Sequence, residues 1–254
     1  MIAWVTHHLP SAGPHADHHL PGEFAGGAEM TDAAWRDAAP EPITVIAPDD
    51  WQAALDADRV IVTGTDLLTD EAMLALAERH PVVFVHHAQT RTPARRVLID
   101  SASLFLVHTP AHLAHELQWT DPQRTAEALS PLETDQIQPA SKEPFAVWAQ
   151  RQHPSKGPLA ARMWAAENGV FLVMLSEAPR DEVLDTMAVA EHYVFLPLGL
   201  ESESRATMEA VLSGCTVHAN DRVGITSVPG WDDPAQLRDL LDGASARFWK
   251  LALS

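Results

Sequence analysis

Short runs of consecutive apolar residues recur along the chain, each followed by a stretch with apolar positions three or four apart. The first set is IAWVT at 2–6, ITVIAP at 43–48, DRVIVTG at 58–64, PVVFVHH at 81–87 and LFLVHTP at 104–110. The second is PFAVWAQR at 144–151, VFLVMLS at 170–176, YVFLPL at 193–198 and TVHAN at 216–220. The stretches between them carry helix signals. Thr69 or Asp70 can cap TDEAMLALAERH, Pro158 opens and Gly169 stops PLAARMWAAENG, and Asp181 and Glu182 suit the first turn of RDEVLDTMAVAE. Residues 203–213 and the final DPAQLRDLLDGASARFWKLAL also read as helix. Strands that are apolar throughout, alternating with helices, predict an α/β protein with parallel sheets covered on both faces.

The strands fall into two sets, separated by the polar TDPQRTAEALSPLETDQIQPASKE. This predicts two Rossmann-like domains over residues 1–125 and 144–254, joined by a linker at 126–143 and facing a central cleft.

Composition narrows the function classes. The chain has 254 residues, 46% of them hydrophobic, and a net charge of −18 from 17 basic and 35 acidic residues. Such acidity repels nucleic acid and anionic membrane at long range, although a local basic patch could still receive either. The single Cys215 excludes an internal disulfide and suits a reducing compartment. The start MIAWVTHHLP has no basic leader, and no apolar run approaches a membrane span. A cytoplasmic protein is expected.

The candidate chemistry centres on PLGLESESRATMEAVLSG, residues 197–214. Ligands of open α/β sheets bind beyond the carboxyl ends of the strands, and Glu201 lies just past such an end. Ser202 or Ser204 can cap the next helix, whose N-terminus suits a phosphate. Glu209 falls on its second turn, where Arg205 at i−4 offers a simple surface pair instead.

These residues resemble the retaining glycosyltransferases of the GT-B fold, through Glu-x7-Glu after an apolar strand and a small-residue stretch ending in Gly. WAQRQHPSKG (148–157) is similar to that family's Arg–loop–Lys-Gly segment, and GGAE (26–29) to its glycine-rich loop, with Gly26 and Gly27 on the acceptor side. The departure is Ser202-Glu203-Ser204, where the family often has glycine after the first Glu. The resemblance implies a two-domain glycosyltransferase that moves a sugar from a nucleotide-sugar donor, UDP- or GDP-linked, to an acceptor hydroxyl, with retention. Arg151 and Lys156 would hold the donor diphosphate, Glu209 the ribose, and Glu201 would stand beside the transferred sugar. No metal and no cofactor beyond the nucleotide-sugar is then required, because the cations and helix amides would stabilise the departing phosphate. A nucleotide-sugar epimerase or hydrolase, or a catalytically silent sugar-nucleotide binder, are the alternatives.

On the acceptor side, His86 or His87 could deprotonate a hydroxyl. Arg91, Arg95 and Arg96 form one basic cluster that could read an anionic acceptor. The acceptor itself, whether small molecule, glycan, protein or modified nucleobase in DNA, is open. The histidines at 7, 8, 15, 18 and 19 lack a clear metal-ligand spacing and read as a loop rather than a zinc site.

Overall fold

The structure is a computed structural model, and it describes residues 1–6, 27–63, 68–87 and 96–254. The predicted Gly26, Arg91 and Arg95, and the histidines at 7–19, lie outside the described residues. The chain divides into two compact units. Ala28–Pro131 and Gly243–Ser254 fall in unit 1 with the first strand, and Leu132–Asp242 falls in unit 2.

Unit 1 is built on a six-stranded parallel sheet: β1 (Ile2–Val5), β2 (Ile43–Ile46), β3 (Arg59–Thr63), β4 (Val82–Val85), β5 (Leu104–Val107) and β6 (Thr125–Glu127). Their order in space is β2-β1-β3-β4-β5-β6. Alternation along each strand divides the core into two layers. Ala3, Val5, Val60, Val62, Phe84 and Phe105 face one side, with Met73 and Leu76 of α2 (Asp70–Arg79) and the short α3 (Arg96–Ser101). Ile2, Trp4, Ile61, Val83 and Leu106 face the other, with Trp35 of α1 (Gly27–Asp37). Thr69 caps α2, its hydroxyl accepting from the Ala72 amide at 3.2 Å. α4 (Pro110–Glu116) follows β5 and is capped in the same way by Thr109.

Unit 2 carries a four-stranded parallel sheet of β7 (Glu143–Ala149), β8 (Phe171–Leu175), β9 (Ala190–Phe195) and β10 (Thr216–Ala219), ordered β10-β9-β7-β8. Its helices are α5 (Pro158–Asn168), α6 (Arg180–Val189), α7 (Arg205–Leu212) and α8 (Pro234–Asp242). Gly169 ends α5 in the left-handed conformation, as its sequence position predicts.

Two expectations change. The segment at 126–143 is not wholly a linker, because β6 pairs with β5 and extends the first sheet. The single closing helix is two, broken at Gly243, and the second, α9 (Ala244–Ala252), belongs to unit 1 rather than to a domain running to 254. Aromatic packing explains that return. Phe248 stacks on Trp35 with ring centroids 4.2 Å apart, Trp249 lies 5.9 Å from Trp4, and the Trp249 indole donates to the Trp35 carbonyl at 2.8 Å. Arg59 adds a hydrogen bond to the Ala252 carbonyl at 2.7 Å. Among the described residues, no helix is long and apolar enough to cross a membrane.

Candidate functional site

In unit 2 the chain passes from β7 to β8 on one side and then to β9 on the other, so β7 and β9 are neighbours across the point where strand order reverses. Crevices at such switch points are where open α/β sheets take ligands. The segment after β7 supplies Arg151 and Lys156, and the segment after β9 supplies Glu201.

The backbone brings these segments into contact. Residues 154–156 form a 3-10 turn that opens on His153, whose ring accepts from the Ser155 amide, and closes on Gly157. Gly157 has φ +68°, and a Cβ there would lie 2.0 Å from the Leu196 carbonyl oxygen, so only glycine permits this approach. The Leu198 amide donates to the Ser155 carbonyl at 2.8 Å. On the other side Glu201 makes a parallel bridge with Val223, and its backbone is held by the Arg222 carbonyl and the Gly224 amide at 2.7 Å each. The outcome is an ion pair of 2.5 Å between Lys156 Nζ and Glu201 Oε2, both partly exposed. Two residues that the sequence assigns to one donor site, 45 positions apart, meet in the fold. Arg151 is exposed just beyond β7.

Glu209 is not a surface acid. It is buried on α7, and Arg180 Nε donates to its Oε1 at 3.2 Å. Arg180 also reaches Gln136 at 2.9 Å and Glu133 at 3.4 Å. The sequence analysis missed Arg180, yet it carried a signal. A cation on the first residue of a helix opposes the macrodipole, so it is held there by something else. Arg205 is held at a lowered pKa, chiefly by burial, while Glu209 opposes that shift. Tyr193 is wholly buried, and its hydroxyl accepts from the Gln150 amide at 2.9 Å. Burial pushes its pKa well above the usual phenol value.

The serines do not cap α7 as expected. Ser204 stands at the N-cap, but its backbone is left-handed (φ +81°) where a capping side chain needs an extended backbone, and no side-chain capping bond forms. Its Oγ instead pairs with the Thr207 hydroxyl at 2.8 Å. A non-glycine residue in this region costs about 1–3 kcal/mol and is characteristic of ligand sites. Ser202 is half-buried and the added acid Glu203 is buried.

In unit 1, Gly27 is the first residue of α1 and Arg96 the first of α3. His86 and His87 follow β4 but enter two different networks. His87 Nε2 lies 2.8 Å from Asp32 Oδ1, and its Nδ1 lies 3.0 Å from His108 Nε2. Asp32 is buried and also accepts from Thr6 at 3.1 Å and Thr63 at 2.5 Å. Ser130 continues the line at 3.2 Å from His108 Nδ1. Both ring nitrogens of His87 are therefore engaged, so it does not reach a substrate hydroxyl without giving up a partner. His86 is buried, and that burial holds its pKa well below the ordinary imidazole value. Asp32, His108 and Ser130 escaped the sequence analysis. An aspartate within the apolar face of a helix, in TDAAW, was the available sign.

No family model matches the chain, and no curated protein matches it. Solved structures do. AviGT4, a glycosyltransferase involved in avilamycin A biosynthesis, superposes with a TM-score of 0.61 at 18% identity, over 99% of this chain and 91% of its own. Anabaena HepE, solved with UDP and glucose, gives 0.60 at 14% identity over 99% and 92%. Sucrose-phosphate synthase from Thermosynechococcus elongatus gives 0.63 at 12% over 99% and 96%. The chain has the GT-B fold of these glycosyltransferases.

Proposed function

We infer that the protein is a glycosyltransferase that moves a sugar from a nucleotide-sugar donor to an acceptor hydroxyl, using unit 2 for the donor. The observation that carries this reading is the Lys156–Glu201 contact at the switch point between β7 and β9 in a chain of GT-B fold. In this reading the donor diphosphate competes for Lys156 and Arg151. As the sugar–phosphate bond breaks, negative charge grows on the departing phosphate, and those cations stabilise it more than they stabilise the bound donor. Glu201, relieved of Lys156, stands beside the sugar. Glu209 takes a ribose hydroxyl while Arg180 fixes its other face, and no metal is needed at the diphosphate. Retention of configuration rests on the Glu-x7-Glu resemblance. HepE was solved with UDP and glucose, which puts UDP-sugars first among donors to try.

The test is a thermal-shift titration of the chain and of Lys156→Ala with UDP, GDP and their sugars. A ligand at one hundred times its dissociation constant adds about 2.7 kcal/mol of stability. A shift confined to one base and lost in Lys156→Ala supports the donor site. A shift for none of them sinks the reading. With an acceptor in hand, Glu201→Gln should keep binding and lose turnover, and NMR of the product anomer decides retention.

A further inference from the structure

β4 and β5 are adjacent and parallel, with Val85 opposite Leu106. Their carboxyl ends share one edge of the sheet, and there His86 leaves β4 while α4 begins just beyond β5. On α4, His112 and Glu116 are four apart and share a face. The Nε2 atoms of His86, His112 and His115 lie 3.8, 3.7 and 3.8 Å from one and the same oxygen, Oε1 of Glu116. These separations are too long for hydrogen bonds. For His86 and His112 they fit ligands that share an ion with Glu116, and His115 falls outside that group. With zinc–ligand distances of about 2.1 Å, two ligand atoms on one ion lie at most ~4.2 Å apart, and the observed spacing corresponds to an angle of roughly 125–130°. One ligand atom each from His86, His112 and Glu116 all fall within 4.8 Å of one another, and tetrahedral ligation at about 2.1 Å, with ligand atoms ~3.4 Å apart, would draw them together. His86, His112 and Glu116 are buried, and His115 is 31% exposed at the outer side.

We propose that His86, His112 and Glu116 form a zinc site that clamps α4 to the carboxyl edge of β4. Two imidazoles and one carboxylate are a zinc set, whereas magnesium and calcium take oxygen ligands throughout. Three protein ligands leave the fourth tetrahedral position to a water or a further ligand. His112 must adjust. Its Nδ1 accepts from the His108 amide at 3.3 Å, and ligation through Nε2 moves the ring proton to Nδ1 and displaces that long contact. The site lies in unit 1 and is independent of the donor chemistry assigned to unit 2. It also departs from the metal-free expectation, which weighed only the histidines at 7–19.

The experiment is a zinc titration of the chelator-stripped full chain against a chromophoric competitor, with cobalt(II) absorption as the reporter of tetrahedral nitrogen and oxygen ligation. One zinc per chain is expected, with a tetrahedral cobalt spectrum. Glu116→Gln and His86→Ala should each weaken binding by more than ~100-fold, the upper loss seen for removing even outer partners of a metal site. His86 follows β4 rather than lying on α4, so its variant keeps the test valid if Glu116→Gln fails to fold. His192→Ala, at a separate His192–His218 contact in unit 2, should leave affinity unchanged. Absence of stoichiometric binding overturns the proposal. So does binding that survives both ligand variants, since zinc would then be held elsewhere.

Discussion

Replacing Gly157 with alanine tests the backbone contact on which the donor site depends. Two glycines in unit 2 share nearly the same left-handed conformation, Gly157 at φ +68° and Gly169 at φ +66°. Alanine at either position suffers the left-handed penalty of about 1–2 kcal/mol and gains about 0.4–1 kcal/mol from a stiffer unfolded chain. The surroundings differ. Nothing lies within 4 Å of a Cβ at Gly169, whereas one at Gly157 would sit 2.0 Å from the Leu196 oxygen and 2.7 Å from its carbon. That neighbour is backbone, tied through Leu198 to Ser155, and cannot rotate away. Relief requires the two loops to separate, at a cost typical of overpacking, about 1–3 kcal/mol. Gly169→Ala should therefore cost ~1 kcal/mol or less and Gly157→Ala roughly 2–4 kcal/mol in urea unfolding. Because the separation also displaces the turn that carries Lys156 from the end of β9, Gly157→Ala should bind UDP more weakly, while Gly169→Ala should match the parent. Equal unfolding costs for the two variants, with nucleotide binding unaffected in both, would refute the claim that close approach of the loops builds the site.

Other outcomes follow from single contacts. Phe248→Ala removes the ring stacked on Trp35 and should destabilise unit 1 by about 3–5 kcal/mol, read by denaturation; a loss below ~1 kcal/mol would mean that α9 does not contribute to that core. Tyr193→Phe deletes the hydroxyl that Gln150 contacts and should cost about 1 kcal/mol, with Gln150 left to find another acceptor. The Cys215 thiol donates to the Met187 carbonyl at 3.2 Å, and burial raises its pKa to about 11. It should resist a thiol reagent at pH 8 in the native chain and react fully in guanidinium, and rapid native labelling would contradict that burial. Arg180→Ala should raise the dissociation constant for UDP more than that for 2′,3′-dideoxy-UDP, as expected if it orients Glu209 toward the ribose; equal changes would count against that role.

Local signals were readable where chemistry and sequence neighbours coincide. The Thr69 cap, the Pro158 start and the Gly169 stop are each decided within one turn, and all three stand as expected. The Lys156–Glu201 encounter was legible only through resemblance, since spacing alone does not say that β7 and β9 are neighbours. That adjacency is set by the crossover order of the sheet. α9 was placed in the wrong unit because its amphipathic pattern fits any apolar face, and only the three-dimensional position of Trp4 and Trp35 selects one. Ser204 shows a different failure. Its residue type favours a cap, but the turn after Glu201 forces a left-handed backbone that turns the hydroxyl away from that task. The histidine networks draw on α1, β4, β5 and α4, and no periodicity along one segment can reveal such a convergence.

The return of α9 has a kinetic consequence. The Trp249 indole meets the Trp35 carbonyl across 214 residues of chain. At about 5–20 residues per second of synthesis, the second partner emerges some ~10–40 s after the first. Throughout that interval the face of the first sheet that carries Trp4 has α1 but lacks α9, while the whole of unit 2, made in between, has time to fold. The nascent chain therefore completes its later-made unit first, and holds a tryptophan-rich surface open to chaperones until the final helix arrives.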